Sequence, residues 1–215
     1  MGAIDPERLR VHVITSSGLV RGRGHIEVAD AAVEGGADVV QLRAPELSYD
    51  ELLSVAREIE RRCRRSQVLF VVNDRIDIAV AVGAGGAHAG QGDLPETARE
   101  RLGPRGVLGI SVAAPKQAEA ADRAGADYLG VTVFATPTKA EAVPIGLDGL
   151  RSIVEATSLP VVGVGGIDPS NARKVLAAGA AGVAVVSAVG TASDPVAATR
   201  RLVEIVRTPA SVPGD

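Results

Sequence analysis

Ala135-Thr136-Pro137-Thr138-Lys139 follows the apolar run YLGVTVF and sets two hydroxyls, a fixed backbone angle and one ammonium side by side. A buried strand has no use for a lysine, so Lys139 reads as placed for an anion, the alternative being an ordinary loop lysine. The same oddity recurs elsewhere: polar groups stand where apolar runs end. VVQLR carries Gln41 and Arg43, two residues apart and therefore on one face of a strand. A guanidinium there can grip a phosphate through two parallel hydrogen bonds. The alternative is an ion pair with an acid such as Asp74. FVVND ends in Asn73 and Asp74, and AHAGQGD ends in Asp93. Two carboxylates on adjacent strand ends suit Mg2+, which takes one or two carboxylates and fills its octahedron with phosphate oxygens and water. The alternative has Asp74 and Asp93 capping the helical patterns that follow them. His88 reads as a hydrogen-bonded histidine inside a strand rather than a metal ligand, and Ser111, in GISV, adds a hydroxyl. Gly163-Val164-Gly165-Gly166-Ile167 and Val186-Ser187-Ala188 turn into helices, where backbone N–H groups and a helix N-terminus receive phosphate.

Something must hold these groups around one point. Short apolar runs recur along the chain: RVHVIT, DVVQLRA, VLFVVND, GGAHAG, GVLGISV, ADYLGVTVF, PVVGVGG and GVAVVSAV. Stretches of helical period separate them, among them SYDELLSVAREIERR, PKQAEAADRAG and DPVAATRRLVEIVR. Ser48 and Asp168-Pro169 stand at helix starts, and glycines stand at helix ends. Alternating strand and helix with continuous apolar strands predicts a parallel sheet. Eight such units in a 215-residue chain fit a single α/β domain, a (β/α)8 TIM barrel over residues 1–208, with 209–215 as a frayed tail. An open doubly wound sheet is the alternative. In a barrel, chemistry sits at the C-terminal ends of the strands, which is where the polar groups above fall. One anion site is expected at strands two to four and another at strands seven and eight, with Lys139 between them.

Composition removes other classes. Aromatics make up 2% of the chain and Trp is absent, so stacking surfaces for single-stranded nucleic acid are missing. A net charge of −3 suggests neither a polyanion nor a membrane surface as partner. No apolar run reaches the ~20 residues that span a bilayer. The N-terminal MGAIDPERL lacks a signal-peptide core, so a cytoplasmic setting is expected. Cys63, the single cysteine, sits in the charged EIERRCRRS and reads as a half-exposed bystander.

Taken together, VVQLR (39–43), VVNDRIDIAVAVGAGGAHAGQGDLP (71–95), LGISV (108–112), ATPTKAEAVPIGLDGL (135–150) and VVGVGGIDPSNARKVLAAGAAGVAVVSAV (161–189) resemble the thiamine phosphate synthase family. The resemblance implies a Mg2+-dependent transferase. Such an enzyme joins 4-amino-5-hydroxymethyl-2-methylpyrimidine diphosphate to a thiazole phosphate, often carboxylated, and releases diphosphate. It assigns Gln41, Arg43, Asn73, Ser111 and Lys139 to the pyrimidine diphosphate, with Lys139, Arg43 and Ser111 nearest the chemistry. It assigns Asp74 and Asp93 to the metal, and Thr136, Pro137, Thr138, Gly166, Val186 and Ser187 to the thiazole phosphate. Pro45 stands where the family usually has a lysine, and Ala113 where a histidine is common. Two rival readings are a thiazole tautomerase-like isomerase and a barrel that binds thiazole or thiamine phosphate without turnover. Small phosphorylated molecules are the expected partners, and a homodimer is left open.

Overall fold

Successive residues on each strand face two different cores, which is why the strands read as unbroken apolar runs. The structure, a computed structural model, describes residues 4–16, 23–90, 95–136 and 142–208. Eight parallel strands close a barrel in chain order: β1 (Val11–Thr15), β2 (Val39–Leu42), β3 (Leu69–Asn73), β4 (Gly86–Ala89), β5 (Val107–Ser111), β6 (Tyr128–Thr132), β7 (Val161–Val164) and β8 (Gly182–Val185). β8 completes the circle by pairing Val183 with Val11 and Val185 with Val13. The predicted barrel is therefore observed, and the open sheet is not.

On one parity, Val13, Val40, Leu42, Val72, Leu108, Leu129 and Val183 pack outward against the helices. On the other, Ile14, Val39, Val71, Tyr128, Val162 and Ala184 fill the inside. Leu9, in the 3-10 turn Pro6–Leu9 ahead of β1, joins that inner cluster from the N-terminal end. Burying one such aliphatic side chain contributes about 1.5–3 kcal/mol, so both layers hold the strands in register.

The helices among the described residues are α1 (His25–Glu34), α2 (Tyr49–Arg65), α3 (Ile76–Val82), α4 (Pro95–Leu102), α5 (Pro115–Arg123), α6 (Gly146–Glu155), α7 (Ala172–Ala177), α8 (Ser187–Gly190) and α9 (Pro195–Arg207). α2 shows how the sequence builds them. Ser48 and Glu51 close a capping box, with the Ser48 amide donating to Glu51 Oε2 at 2.9 Å. Leu52, Ala56, Ile59 and Cys63 then recur at helical spacing on the buried face. The opposite face carries ion pairs such as Arg62 with Asp30 at 2.6 Å.

Three expectations need correcting. Cys63 is fully buried rather than half-exposed, and burial, aided by Glu60 and Asp30, pushes its thiol up to about 12. A thiol held that far from its thiolate is inert. The eighth strand run stops at Val185 instead of continuing to 189, because Val186 leaves the extended region at φ −116°, ψ −77° and Ser187 opens α8. α7 starts at Ala172, after an N-cap at Asn171. Asp168 instead folds a tight turn by accepting from the Ser170 amide at 2.7 Å and the Ser170 hydroxyl at 2.6 Å. No helix of the described residues is long and apolar enough to cross a membrane.

Candidate active site

Strand parity decides which polar groups converge. The inward parity that places Val39, Val71 and Val162 in the barrel also points Gln41, Asn73, Ser111, Thr132 and Val164 inward, nearer the C-terminal mouth. Together with Arg43, Thr136, Gly165, Gly166, Val186 and Ser187 they line one open cleft of about 900 Å³. Eight residues expected at a site are thus brought together: Gln41, Arg43, Asn73, Ser111, Thr136, Gly166, Val186 and Ser187. Lys139, Pro137, Thr138 and Asp93 lie outside the described residues.

The two sides of the mouth are built differently. On the β2–β3 side the groups are side chains. Gln41 is buried, while Arg43 and Asn73 are partly exposed at the strand ends. Asp74 follows immediately, exposed, with its backbone at φ +61°. The left-handed region is disfavoured for residues with a Cβ, and Asp and Asn are the types that enter it most readily. The neighbouring strand β4 and a tight local turn hold Asp74 there: its amide donates to the His88 carbonyl at 2.8 Å, and the Arg75 amide donates to the Asn73 carbonyl at 2.7 Å. Arg75, not Asp74, occupies the cap position of α3, and its guanidinium pairs with Asp77 at 3.0 and 2.7 Å. Among the described residues no three His, Cys, Asp or Glu side chains converge. Asp74 follows Asn73 at the end of β3 but does not itself line the cleft; a single exposed carboxylate there still fits Mg2+, which needs only one or two when a phosphorylated ligand supplies further oxygens.

On the β7–β8 side the groups are backbone. Gly165 and Gly166 sit at φ +84° and +59°, and a Cβ on Gly166 would stand 2.6 Å from the Ala135 carbonyl oxygen and 2.9 Å from Phe134 Cβ. Only glycine lets this turn slide beneath residues 134–136. Asn171 Nδ2 donates to the Gly166 carbonyl at 2.8 Å and fixes the peptide plane. Asp168 is held below the usual carboxylate range, first by the Ser170 hydroxyl and then by the Ser170 amide. Beside the glycine turn, Val186 and Ser187 open α8, whose first-turn N–H groups have no partner within the helix. Arg23 clamps the far end of α8, donating to the carbonyls of Ala192 at 2.6 Å and Ser193 at 3.0 Å.

Beneath both sides lies a polar layer that the sequence reading largely missed. His88 was expected to be hydrogen-bonded, and it is: Nε2 lies 2.9 Å from Ser111 Oγ and Nδ1 lies 3.0 Å from the Tyr128 hydroxyl. His12 and Tyr128 also line the cleft. Burial, then the neighbouring His88, lowers His12 to about 3. Its Nε2 is buried with no hydrogen-bond partner among the described residues. Burial likewise raises the Tyr128 hydroxyl above its ordinary range. The available signal was parity: His12 and Tyr128 alternate with outward valines and leucines, just as Gln41 does.

The fold and the cleft define a (β/α)8 barrel whose site is the C-terminal mouth. The chain shares that fold with a solved 3-hexulose-6-phosphate synthase, at TM-score 0.71 and 18% identity, over 92% of this chain and all of that one. Closer likenesses go beyond fold. Residues 11–189 match the family described as thiamine monophosphate synthase, and the chain belongs to that family. It is 49% identical to the thiamine-phosphate synthase of Moorella thermoacetica over 91% of this chain and 95% of that protein. The thiamine-phosphate synthase of Chloroflexus aurantiacus is 48% identical over 92% of each. A solved thiamine phosphate pyrophosphorylase from Pyrococcus furiosus superposes with TM-score 0.85 at 39% identity, covering 94% of this chain and 96% of that one. These matches favour neither the isomerase nor the non-catalytic barrel.

Proposed function

We propose that the chain is a transferase that condenses 4-amino-5-hydroxymethyl-2-methylpyrimidine diphosphate with a thiazole phosphate to give thiamine phosphate and diphosphate. The observation that carries this reading is the double construction of one cleft. A side-chain rim at Gln41, Arg43 and Asn73 faces a backbone rim at Gly166, Val186 and Ser187. Two phosphorylated ligands can be held there with their reacting ends toward each other.

The chemistry asks for that arrangement. The aminopyrimidine pushes electrons toward its methylene carbon, the C–O bond to diphosphate breaks, and the thiazole nitrogen attacks the carbon. Diphosphate leaves with the bonding pair. Little acid–base machinery is needed. What is needed is neutralisation of the leaving charge and a fixed acceptor. Arg43 and Lys139 neutralise the diphosphate, Ser111 donates to it, and Gln41 and Asn73 orient the pyrimidine end. Gly166, Val186 and Ser187 hold the thiazole phosphate through backbone N–H groups, helped by Thr136, Pro137 and Thr138. Asp74 and Asp93 would hold Mg2+, which when bound offsets diphosphate charge. The reaction involves no nucleic acid and no membrane, and suits a cytoplasmic protein acting on small metabolites.

The test is product formation by the purified protein with both phosphorylated substrates and Mg2+, with and without chelator. Metal-dependent thiamine phosphate and diphosphate are expected. Absence of product alongside tight thiazole phosphate binding would overturn the transferase reading.

A further inference from the structure

The chain of side chains under the cleft has a direction that can be worked out by counting hydrogens. Ser111 Oγ, His88 Nε2, His88 Nδ1 and the Tyr128 hydroxyl form two successive contacts of 2.9 and 3.0 Å. The barrel is cut to fit them. A Cβ on Gly109 would collide with both Tyr128 Cζ and His88 Nδ1, and one on Gly130 would lie 2.8 Å from His88 Cε1. Two glycines in strand interiors, where glycine packs poorly, thus clear the space in which these rings meet.

Tyr128 is 1% exposed, and burial keeps its hydroxyl protonated. That buried hydrogen needs an acceptor. Among the described residues the hydroxyl's hydrogen-bond partner is His88 Nδ1. The His12 ring meets Tyr128 edge-on with centroids 5.5 Å apart, and its Nε2 makes no hydrogen bond among the described residues. If Tyr128 donates to Nδ1, His88 carries its hydrogen on Nε2. That N–H then donates to Ser111 Oγ. The serine's own hydrogen is left to point elsewhere, and Ser111 lines the cleft. The opposite tautomer strands the tyrosine hydrogen and spends the serine hydrogen on His88.

We propose that Tyr128 and His88 are positioning residues that set Ser111 as a hydrogen-bond donor toward an anionic oxygen of the ligand at the β2–β3 side of the cleft. This rests on the transferase reading for the identity of that ligand, the pyrimidine diphosphate. The serine's polarity itself does not depend on it. An oxygen lone pair turned the same way would repel a diphosphate oxygen; an O–H attracts it.

Two measurements decide it. Nitrogen-15 correlation spectra of the wild-type protein, with its three histidines, report the ring tautomer directly. Hydrogen on Nε2 of His88 is expected, and hydrogen on Nδ1 overturns the proposal whether or not the protein turns over. In kinetics, Tyr128→Phe is expected to raise KM for the pyrimidine diphosphate about three- to tenfold while KM for the thiazole phosphate stays within about twofold. Ser111→Ala is expected to raise the same KM about tenfold. The double variant should be no worse than Ser111→Ala alone, because the tyrosine acts through the serine. Additive losses would show Tyr128 to be merely structural. A wild type that makes no product, yet carries the Nε2–H tautomer, would sink the transferase reading and leave the relay standing.

Discussion

The two sides of the mouth are built differently, and under the proposed function they would hold anions by opposite means. At the ends of β2 and β3 the proposed donors are side chains, Gln41, Arg43 and Asn73, planted on strands whose registers fix them: Gln41 beside Val71, and Asn73 beside His88. Past β7 and β8 the groups offered are backbone: the left-handed turn at Gly165 and Gly166 and the first turn of α8, whose peptide N–H groups are the proposed donors. A side-chain rim can bring full positive charge and follow a departing group. A backbone rim brings partial charges at fixed positions and moves little. The first suits a ligand that gains negative charge as its bond breaks, the second a phosphate that only anchors.

That contrast can be broken by substitution. Arg43→Ala would remove the proposed charge-assisted donor and is expected to lower kcat/KM for the pyrimidine diphosphate about 100- to 1000-fold, with Arg43→Lys recovering only part. A loss below tenfold would show that the leaving charge is carried elsewhere. Gly166→Val places a branched side chain at φ +59° against the Ala135 carbonyl. It is expected to raise KM for the thiazole phosphate about 10- to 100-fold, at a strain cost of about 1–3 kcal/mol.

Below both rims, His12 offers a control that touches stability rather than binding. Its folded pKa is lowered to about 3 from 6.5. The unfolded chain therefore takes up a proton that the native barrel refuses. Stability is complete above pH 6.5 and is lost at up to ~1.4 kcal/mol per unit as pH falls toward 3. Between pH 7.5 and 5 this amounts to about 2 kcal/mol in chemical denaturation, and His12→Leu should flatten that slope. An unchanged slope would assign the acid sensitivity to other groups. Smallest of all, Ser187→Ala leaves the peptide N–H in place and should raise KM for the thiazole phosphate only about two- to fivefold. A larger effect would mean that the hydroxyl, not the backbone, holds the phosphate.

The difference between the rims also explains what could be read from the chain. Gln41, Arg43 and Asn73 stand out because a barrel interior otherwise takes Val and Leu, so polar types at strand ends announce themselves. The barrel itself was legible for the same reason: two buried faces make unbroken apolar runs. Gly165 and Gly166 showed as glycines, but their collision with residues 134–136 depends on how the loops after β6 and β7 cross, which no local pattern carries. His12 and Tyr128 were hidden inside RVHVIT and ADYLGVTVF, because a buried polar ring in an apolar run looks like one more strand residue until its parity is counted. The end of β8 was misread because Val186-Ser187-Ala188-Val189 has no breaker; the turn comes from packing, not propensity. Cys63 was misjudged because its charged neighbours lie on the outward face of α2, while the cysteine continues the buried stripe of Leu52, Ala56 and Ile59.

The most direct test of the division between the rims is a crossed kinetic comparison of Arg43→Ala and Gly166→Val, each titrated with both substrates. The predicted result is separation. Arg43→Ala impairs turnover and KM for the pyrimidine diphosphate and leaves KM for the thiazole phosphate within about threefold, while Gly166→Val does the reverse. Equal impairment of both substrates by either variant would contradict it and make the cleft one undivided anion site.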